Sequence, residues 1–338
     1  MRKISQKGYL VTGCAGFIGY HVVENLLNNG CKVLGVDSMY QSPDLCIKDW
    51  RLSQLEGSDG FIFCRINFCD VHNFSSLITK ALDSIGGVLD GVIHLGGRAG
   101  IRQSVSNPHD YYESNVLGTL NVLEFCRTHG IKKFVFASSS SLYSGVGEIP
   151  FSESINTDRP ISPYAASKKA AEELCFSYHY LHGMDITVFR FFSVYGSAGR
   201  PDMSPFRFIQ SIIEGVPLTF FGNGTQRRDF TYIEDIVNGI VKGLKPLGYE
   251  IINLGSGRPI SLKNLLRRIE FITEKSAKVR YSSANHADAP VTHACIKKAY
   301  CTMGWRPQTD LDDGLRLCID WYYRERAWLS RLNALMDF

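Results

Sequence analysis

The most constraining stretch of this sequence is an octet near its start, Thr12-Gly13-Cys14-Ala15-Gly16-Phe17-Ile18-Gly19. An apolar run at residues 9–12 reads as a strand and leads straight into it. Residues 20–29 read as a helix, with Gly30 as its stop. The glycines fall as GxxGxxG between strand and helix. In that setting Gly13 allows a tight turn, Gly16 lets the backbone approach a pyrophosphate, and Gly19 lets helix and strand pack closely. Phe17 and Ile18 lead into the helix, whose N-terminus faces an anion with free N–H groups and the positive end of its dipole. The next strand, residues 32–36, runs into Asp37. An acid there bonds both ribose hydroxyls of an adenosine and repels a 2′-phosphate, which favours NAD over NADP. The competing reading is a plain tight turn followed by a surface aspartate. Asp70, which follows a strand at 61–67, has two readings: a contact to the adenine edge, or an N-cap for the helix that starts at Val71.

The octet opens an alternation. Further strands read at 88–95, 133–138 and 186–192, and helices at 71–84 and 111–128. This predicts an α/β fold, a Rossmann-type doubly wound parallel sheet covered on both faces. After Gly196 glycine and proline become frequent and the elements shorten. We place a boundary near Tyr195, with residues 1–195 as the NAD-binding Rossmann domain. Residues 196–338 are then mainly a smaller C-terminal α/β substrate lobe, with some segments packing back on the first. A chain of 338 residues accommodates two such lobes. Its 44% hydrophobic and 21% charged residues exclude disorder. Lys plus Arg is 37 against 33 acids, a net charge of +4 with no basic stripe, so nucleic acid is not an expected partner. The 10 cysteines contain no CxxC pair and sit mostly in apolar runs, so they read as reduced core thiols with no metal site. No window resembles a membrane span, and residues 1–10 lack a signal-peptide pattern. A cytoplasmic protein is expected.

The chemistry is carried further along. Ser162-Pro163-Tyr164-Ala165-Ala166-Ser167-Lys168 opens a helix, with Ser162 as N-cap and Pro163 at the first helical position. Tyr164 and Lys168, at i and i+4, share a face. An ammonium beside a phenol lowers the phenol's pKa, and so does a positive nicotinamide. A tyrosine so placed serves as a general base at neutral pH. Taken alone, the pattern is more often a surface tyrosine beside a solvated lysine. The strand at 133–138 ends in Ser138-Ser139-Ser140-Ser141-Leu142-Tyr143. Ligands bind at the carboxyl ends of parallel strands, so this hydroxyl cluster faces the cofactor's mouth. Its bland reading is a polar loop.

In this order and spacing, the glycine turn, the serine run and the Tyr164–Lys168 pair resemble the extended short-chain dehydrogenase/reductases that act on nucleotide sugars. Further landmarks are His94-Leu95-Gly96-Gly97-Arg98-Ala99-Gly100, Ser114-Asn115-Val116-Leu117-Gly118-Thr119, Arg190-Phe191-Phe192-Ser193-Val194-Tyr195-Gly196 and Arg228-Asp229-Phe230-Thr231-Tyr232-Ile233-Glu234-Asp235. The resemblance covers nearly the whole chain. It implies a tightly bound NAD, Tyr164 as base, Lys168 on the nicotinamide ribose and Ser139 on the reacting sugar hydroxyl. Leu95 and Asn115 fall among the implied cofactor contacts.

Within this family the dehydratases carry an Asp-Glu pair where this chain has Ser140 and Ser141, and the xylose-forming decarboxylases keep an acid at the position of Ser141. Without those groups elimination lacks its acid and base. Epimerisation at carbon 4 needs neither. The sequence is most similar to the UDP-glucuronate 4-epimerase branch, through the serine run, Arg98-Ala99-Gly100-Ile101-Arg102 and Gly199-Arg200-Pro201-Asp202-Met203. The resemblance implies conversion of UDP-glucuronate to UDP-galacturonate through a transient 4-keto sugar. Such a β-keto acid loses carbon dioxide readily, so its carboxylate has to be held. Arg200 is the candidate clamp, because a guanidinium binds a carboxylate in bidentate fashion. Ser140, Ser141 and Ser193 add hydrogen bonds. By resemblance, Arg228 meets the substrate diphosphate, and Asp288 either bonds the nucleotide ribose or supports a loop.

The chain departs from the family pattern at Ser144-Gly145, where relatives have Gly directly after the tyrosine. It also departs at Ser197, where Pro is usual, and at Asn285-His286-Ala287 before Asp288, where Pro-Gly is usual. Three other readings stay open: a 4-epimerase of a neutral UDP-hexose (UDP-glucose or UDP-N-acetylglucosamine), a UDP-glucuronate decarboxylase, and a non-catalytic cofactor-binding protein. Relatives pair through two helices, which implies a homodimer through residues 111–128 and 164–182.

Overall fold

The computed structural model of the protein describes residues 7–40, 45–145, 147–282 and 289–335. Its strands, in chain order, begin with β1 (Gly8–Thr12), β2 (Lys32–Asp37), β3 (Phe61–Arg65), β4 (Gly91–His94), β5 (Lys133–Ser139) and β6 (Asp185–Phe191). They continue with β7 (Ser193–Tyr195), β8 (Leu218–Phe221), β9 (Arg227–Arg228), β10 (Phe230–Tyr232), β11 (Tyr249–Leu254), β12 (Ile260–Ser261) and β13 (Val279–Ser282). The helices are α1 (Phe17–Asn28), α2 (Leu45–Leu55), α3 (Val71–Leu82), α4 (Ile101–Ser106), α5 (Pro108–Tyr112), α6 (Gly118–Thr128), α7 (Pro163–His182), α8 (Ser204–Glu214), α9 (Ile233–Lys242), α10 (Leu262–Thr273), α11 (Lys297–Met303) and α12 (Leu311–Leu329).

Seven strands form one parallel sheet in the order β11-β6-β5-β4-β1-β2-β3. Alternate side chains of each strand point to opposite faces. Val11, Val33, Ile93 and Val135 therefore join the core under α1 and α9, while Leu10, Leu34, Val92 and Phe134 join the core under α3, α6 and α7. With both faces covered, the strands are mainly apolar, and most of the residues in the central ones are buried. From β1 the chain winds outward to β2 and β3, then crosses back to β4 on the other side of β1. The carboxyl ends of β1 and β4 thus flank the topological switch point, where the crevice of such sheets opens.

The later part of the chain builds smaller units. β7 pairs with β10, β8 with β13, and β9 with β12, and α8, α10 and α12 surround them. Two segments return to the large sheet: α9 packs on α1, and β11 forms the edge beside β6. One apolar cluster runs from α1 through α9 into α8, α10 and α12, so no solvent layer separates the two parts. Among the described residues, no helix is long and apolar enough to cross a membrane.

Three elements differ from the sequence reading. The strand expected at 88–95 shortens to β4, because Asp90 closes a turn on the start of β1. Its carboxylate accepts from Gly8 N at 2.8 Å, and its own N–H donates to Gly8 O at 2.8 Å. The helix expected at 111–128 is interrupted by a π turn at Glu113–Leu117. Helix α2 was not legible, because the residues on its buried side are Ile47, Arg51, Leu52 and Leu55, and the charged Arg51 masks the apolar spacing.

Candidate active site

The glycine turn lies at the switch point. Gly13 has φ +70°, and a Cβ there would sit 2.8 Å from Gly96 N and 2.9 Å from Gly96 Cα. A Cβ on Gly19 would sit 2.0 Å from Gly13 O. Only glycine permits this three-way approach of β1, α1 and the loop after β4. Gly16 is the N-cap of α1 and puts no side chain over the free N–H groups of the first turn, which Phe17 and Ile18 begin. Asp37 ends β2 in a buried position. Its carboxylate accepts from Ala15 N at 3.3 Å and Met39 N at 2.9 Å, and pairs with Lys48 at 3.3 Å. A bare helix N-terminus with a carboxylate one strand away fits the pyrophosphate and ribose of a dinucleotide. Of the two readings of Asp70, the structure displays the cap. Its exposed side chain accepts from Asn73 N at 3.2 Å and from Asn73 Nδ2 at 2.6 Å.

Behind the turn lies a buried relay that the sequence did not reveal. Gly96 N donates to Thr12 Oγ1 at 3.1 Å, and Thr12 Oγ1 lies 2.7 Å from His94 Nδ1. His94 Nε2 lies 3.1 Å from Thr119 Oγ1, which donates its proton to Asn115 O at 2.6 Å. Thr119 can then only accept from Nε2, which puts the imidazole proton on Nε2 and makes Nδ1 the acceptor from Thr12. Asn115, in the π turn, accepts from Arg98 N at 2.8 Å and donates to Arg98 O at 3.0 Å and Ser167 Oγ at 2.9 Å. It fastens the loop after β4, which Leu95 starts, to α7.

Burial, and then the charge of Lys168, lower the pKa of His94 to about 3. The folded value is depressed below that of the unfolded chain, so the stability this provides is present above pH 6.5 and drains away as pH falls toward 3. We expect His94→Gln to flatten the pH dependence of unfolding between pH 6.5 and 4 by about 1.4 kcal/mol per pH unit. Urea titrations across that range check this, and an unchanged slope would contradict it.

Ser162 Oγ accepts from Ala165 N at 3.1 Å, and Pro163 is the first residue of α7, as expected from the sequence. This places Tyr164 and Lys168 on the buried face of α7 at the carboxyl end of β5. Ser139 is the side chain that most favours the ionised form of the Tyr164 phenol. Ser139 Oγ is 2.7 Å from Ser141 Oγ and accepts from Ser141 N at 3.1 Å. Ser140 opens the short turn between them, half-exposed.

One expectation fails. Burial holds the Tyr164 phenol above its ordinary pKa, and the groups that pull it down are Ser139 and Arg200 rather than Lys168. The Lys168 Nζ instead donates to Ala137 O at 2.9 Å, beside the Phe136 ring. Burial lowers the pKa of Lys168 to about 8, while Cys175 and Glu172 act in the opposite direction.

Glu172, one turn beyond Lys168, is the second group that sequence reasoning missed. It accepts from Ser138 Oγ at 2.5 Å and from Arg190 Nε and Nη2 at 2.9 and 2.6 Å, and both partners of the ion pair are buried. This ties α7 to β5 and β6 directly behind Ser139. Removing one partner of such a pair costs about 3–5 kcal/mol.

Arg200 comes from the loop before α8, within electrostatic reach of Tyr164 and Tyr111. Its Nε and Nη2 donate to Asp202 at 3.0 and 2.7 Å. The Arg200 guanidinium beside it holds the exposed Asp202 carboxyl below its usual range. Burial, and then the charge of Arg102 of α4, lower the pKa of Arg207 of α8. Ser193 starts β7, half-buried. Arg228 ends β9 and donates to Arg227 O at 2.9 Å. Asp288 lies outside the described residues. Two acids of the late landmark are structural staples. Asp229 accepts from Ser256 N, Gly257 N and Ala294 N, and Asp235 from Gln308 N and Thr309 N.

A model described as the NAD dependent epimerase/dehydratase family matches residues 9–255. The sequence is 49% identical over 314 residues to the UDP-glucuronate 4-epimerase of Thermodesulfobacterium geofontis, which covers 93% of this chain and 95% of that protein. Among solved structures, the UDP-glucuronic acid 4-epimerase of Bacillus cereus in complex with UDP-glucuronic acid and NAD has a TM-score of 0.85 at 34% identity, with 94% of this chain and 99% of that one covered. MoeE5 in complex with UDP-glucuronic acid and NAD has a TM-score of 0.82 at 31% identity, with the same coverage of 94% and 99%.

Proposed function

Because this chain belongs to the NAD dependent epimerase/dehydratase family, we propose that it performs NAD-dependent 4-epimerisation of a UDP-sugar, UDP-glucuronate to UDP-galacturonate. The observation that supports the choice of sugar is Arg200 within electrostatic reach of the Tyr164 phenol, together with Ser140 and Ser141 at the positions where elimination and decarboxylation would need acids. The NAD, held at Gly13, Gly16, Gly19 and Asp37, supplies the acceptor for the carbon 4 hydride, its return and a positive charge near the phenol. Tyr164 takes the proton of the 4-hydroxyl and gives it back after the 4-keto sugar has turned over. Ser139 holds that hydroxyl in reach of Tyr164. Lys168 binds the nicotinamide ribose and stays charged with the help of Glu172.

Arg200, Ser140, Ser141 and Ser193 hold the sugar carboxylate out of alignment with the ketone, which suppresses loss of carbon dioxide. Arg228 meets the diphosphate. Residues 1–195 then serve mainly the cofactor and residues 196–338 mainly the UDP-sugar. Incubation with UDP-glucuronate without added NAD, followed by NMR of the separated sugars, is expected to yield UDP-galacturonate. A UDP-pentose would instead make the enzyme a decarboxylase, and turnover of neutral UDP-hexoses alone would remove the uronate reading.

The protein pairs as a homodimer through residues 111–128 and 164–182. Exposed Tyr112, Leu117, Phe176 and Tyr180 on those stretches support this. Light scattering at the mass of one chain would refute it.

A further inference from the structure

Arg51 projects from α2 into the interior and is fully buried. Its Nη1 donates to Ala15 O at 3.2 Å, between Gly13 and Gly16 of the glycine turn. Its Nε and Nη2 donate to Ala198 O at 2.9 and 2.7 Å, and Nη2 also donates to Gly199 O at 3.1 Å. Ala198 itself is buried and has φ +53°, a left-handed conformation that an alanine adopts only when its surroundings impose it. The carbonyl before it, Ser197 O, is bonded to His21 Nε2 of α1 at 3.0 Å. The carbonyls of residues 197, 198 and 199 are thus fastened in succession to α1 and α2, and the next residue is Arg200.

We propose that Arg51 is a positioning residue that joins the pyrophosphate-binding turn to the substrate-carboxylate clamp. One planar guanidinium spans both loops, and its several N–H groups hold carbonyls that are distant in sequence at a set separation. Asp202 fixes the Arg200 side chain from one side, and Arg51 fixes the backbone that carries it from the other. The clamp is therefore referenced to the same turn that places the cofactor, so the carboxylate is held in register with the carbon that reacts. A lysine keeps the charge and the stem but is a single point, and it reaches one loop at a time.

This inference rests on Arg200 as the carboxylate clamp, so Arg200→Ala is measured beside it. Holoenzyme of Arg51→Lys and of Arg51→Met is titrated calorimetrically with UDP-glucuronate and with UDP, and the products are separated. For Arg51→Lys the Kd for UDP-glucuronate is expected to rise at least tenfold and that for UDP to stay within twofold. NAD remains bound, and a UDP-pentose side product emerges. Wild-type affinity for UDP-glucuronate in a folded Arg51 variant would overturn the proposal. An equal weakening of UDP would too, because it signals a general loosening. If neither variant folds, Arg51 serves stability rather than the clamp, and the proposal is likewise overturned. Should Arg200→Ala bind UDP-glucuronate normally, the clamp reading itself is wrong. An impaired Arg200→Ala beside an unimpaired Arg51→Lys removes only the tie.

Discussion

Tyr164→Phe is expected to lower turnover of UDP-glucuronate by about 10³- to 10⁴-fold, the range for loss of a positioned general base, while the purified protein keeps its NAD. The substitution is nearly isosteric. The Tyr164 ring packs edge-on to Tyr111 at 6.0 Å, and phenylalanine preserves that contact. Ser139 keeps its bond to Ser141 at 2.7 Å, so its hydroxyl is not stranded. Lys168 is anchored on Ala137 O and does not depend on the phenol. What disappears is the hydroxyl proposed to remove the 4-hydroxyl proton. Product formation is followed by NMR, and retained NAD by absorbance after denaturation. Retention of more than a tenth of wild-type turnover would show that another group is the base.

Arg200→Ala carries the next largest effect. Removing one partner of a desolvated, hydrogen-bonded charge pair costs about 2–5 kcal/mol, roughly 30- to several-thousandfold in kcat/KM. The loss is selective for the uronate. It also exposes Asp202, whose carboxylate then repels the substrate's own. Arg200→Ala with Asp202→Asn separates the two contributions, because the asparagine removes the repulsion without restoring the clamp. Turnover of UDP-glucuronate within threefold of wild type in Arg200→Ala would leave a neutral UDP-hexose as the better substrate reading.

What was legible in advance is local. The glycine turn is recognisable because Gly13, Gly16 and Gly19 act within one strand–turn–helix unit. Ser162, Pro163, Tyr164 and Lys168 are recognisable because a cap, a first helical position and an i, i+4 pair are set by the path of a single helix. Asp70 illustrates the limit of such reasoning, since the same residue suits a cap and a ligand contact, and only the position of Asn73 distinguishes them.

The sequence by itself therefore determined the fold class, the glycine turn and the shared helix face of Tyr164 and Lys168, because backbone periodicity and short-range spacing specify them. Only the tertiary structure decided how the Tyr164 phenol is tuned and how Arg200 is held. Arg51 binds carbonyls 36 and 147 residues away, and His94 joins Thr12 and Thr119 across 82 and 25 residues. In a linear reading each is a polar residue that belongs at the surface. Each is buried instead, because folding brings distant backbone and hydroxyl groups to it, and a buried polar group is stable only where such partners meet. The same burial holds the Tyr164 phenol above its ordinary pKa, through a desolvation cost that spacing along the chain does not encode.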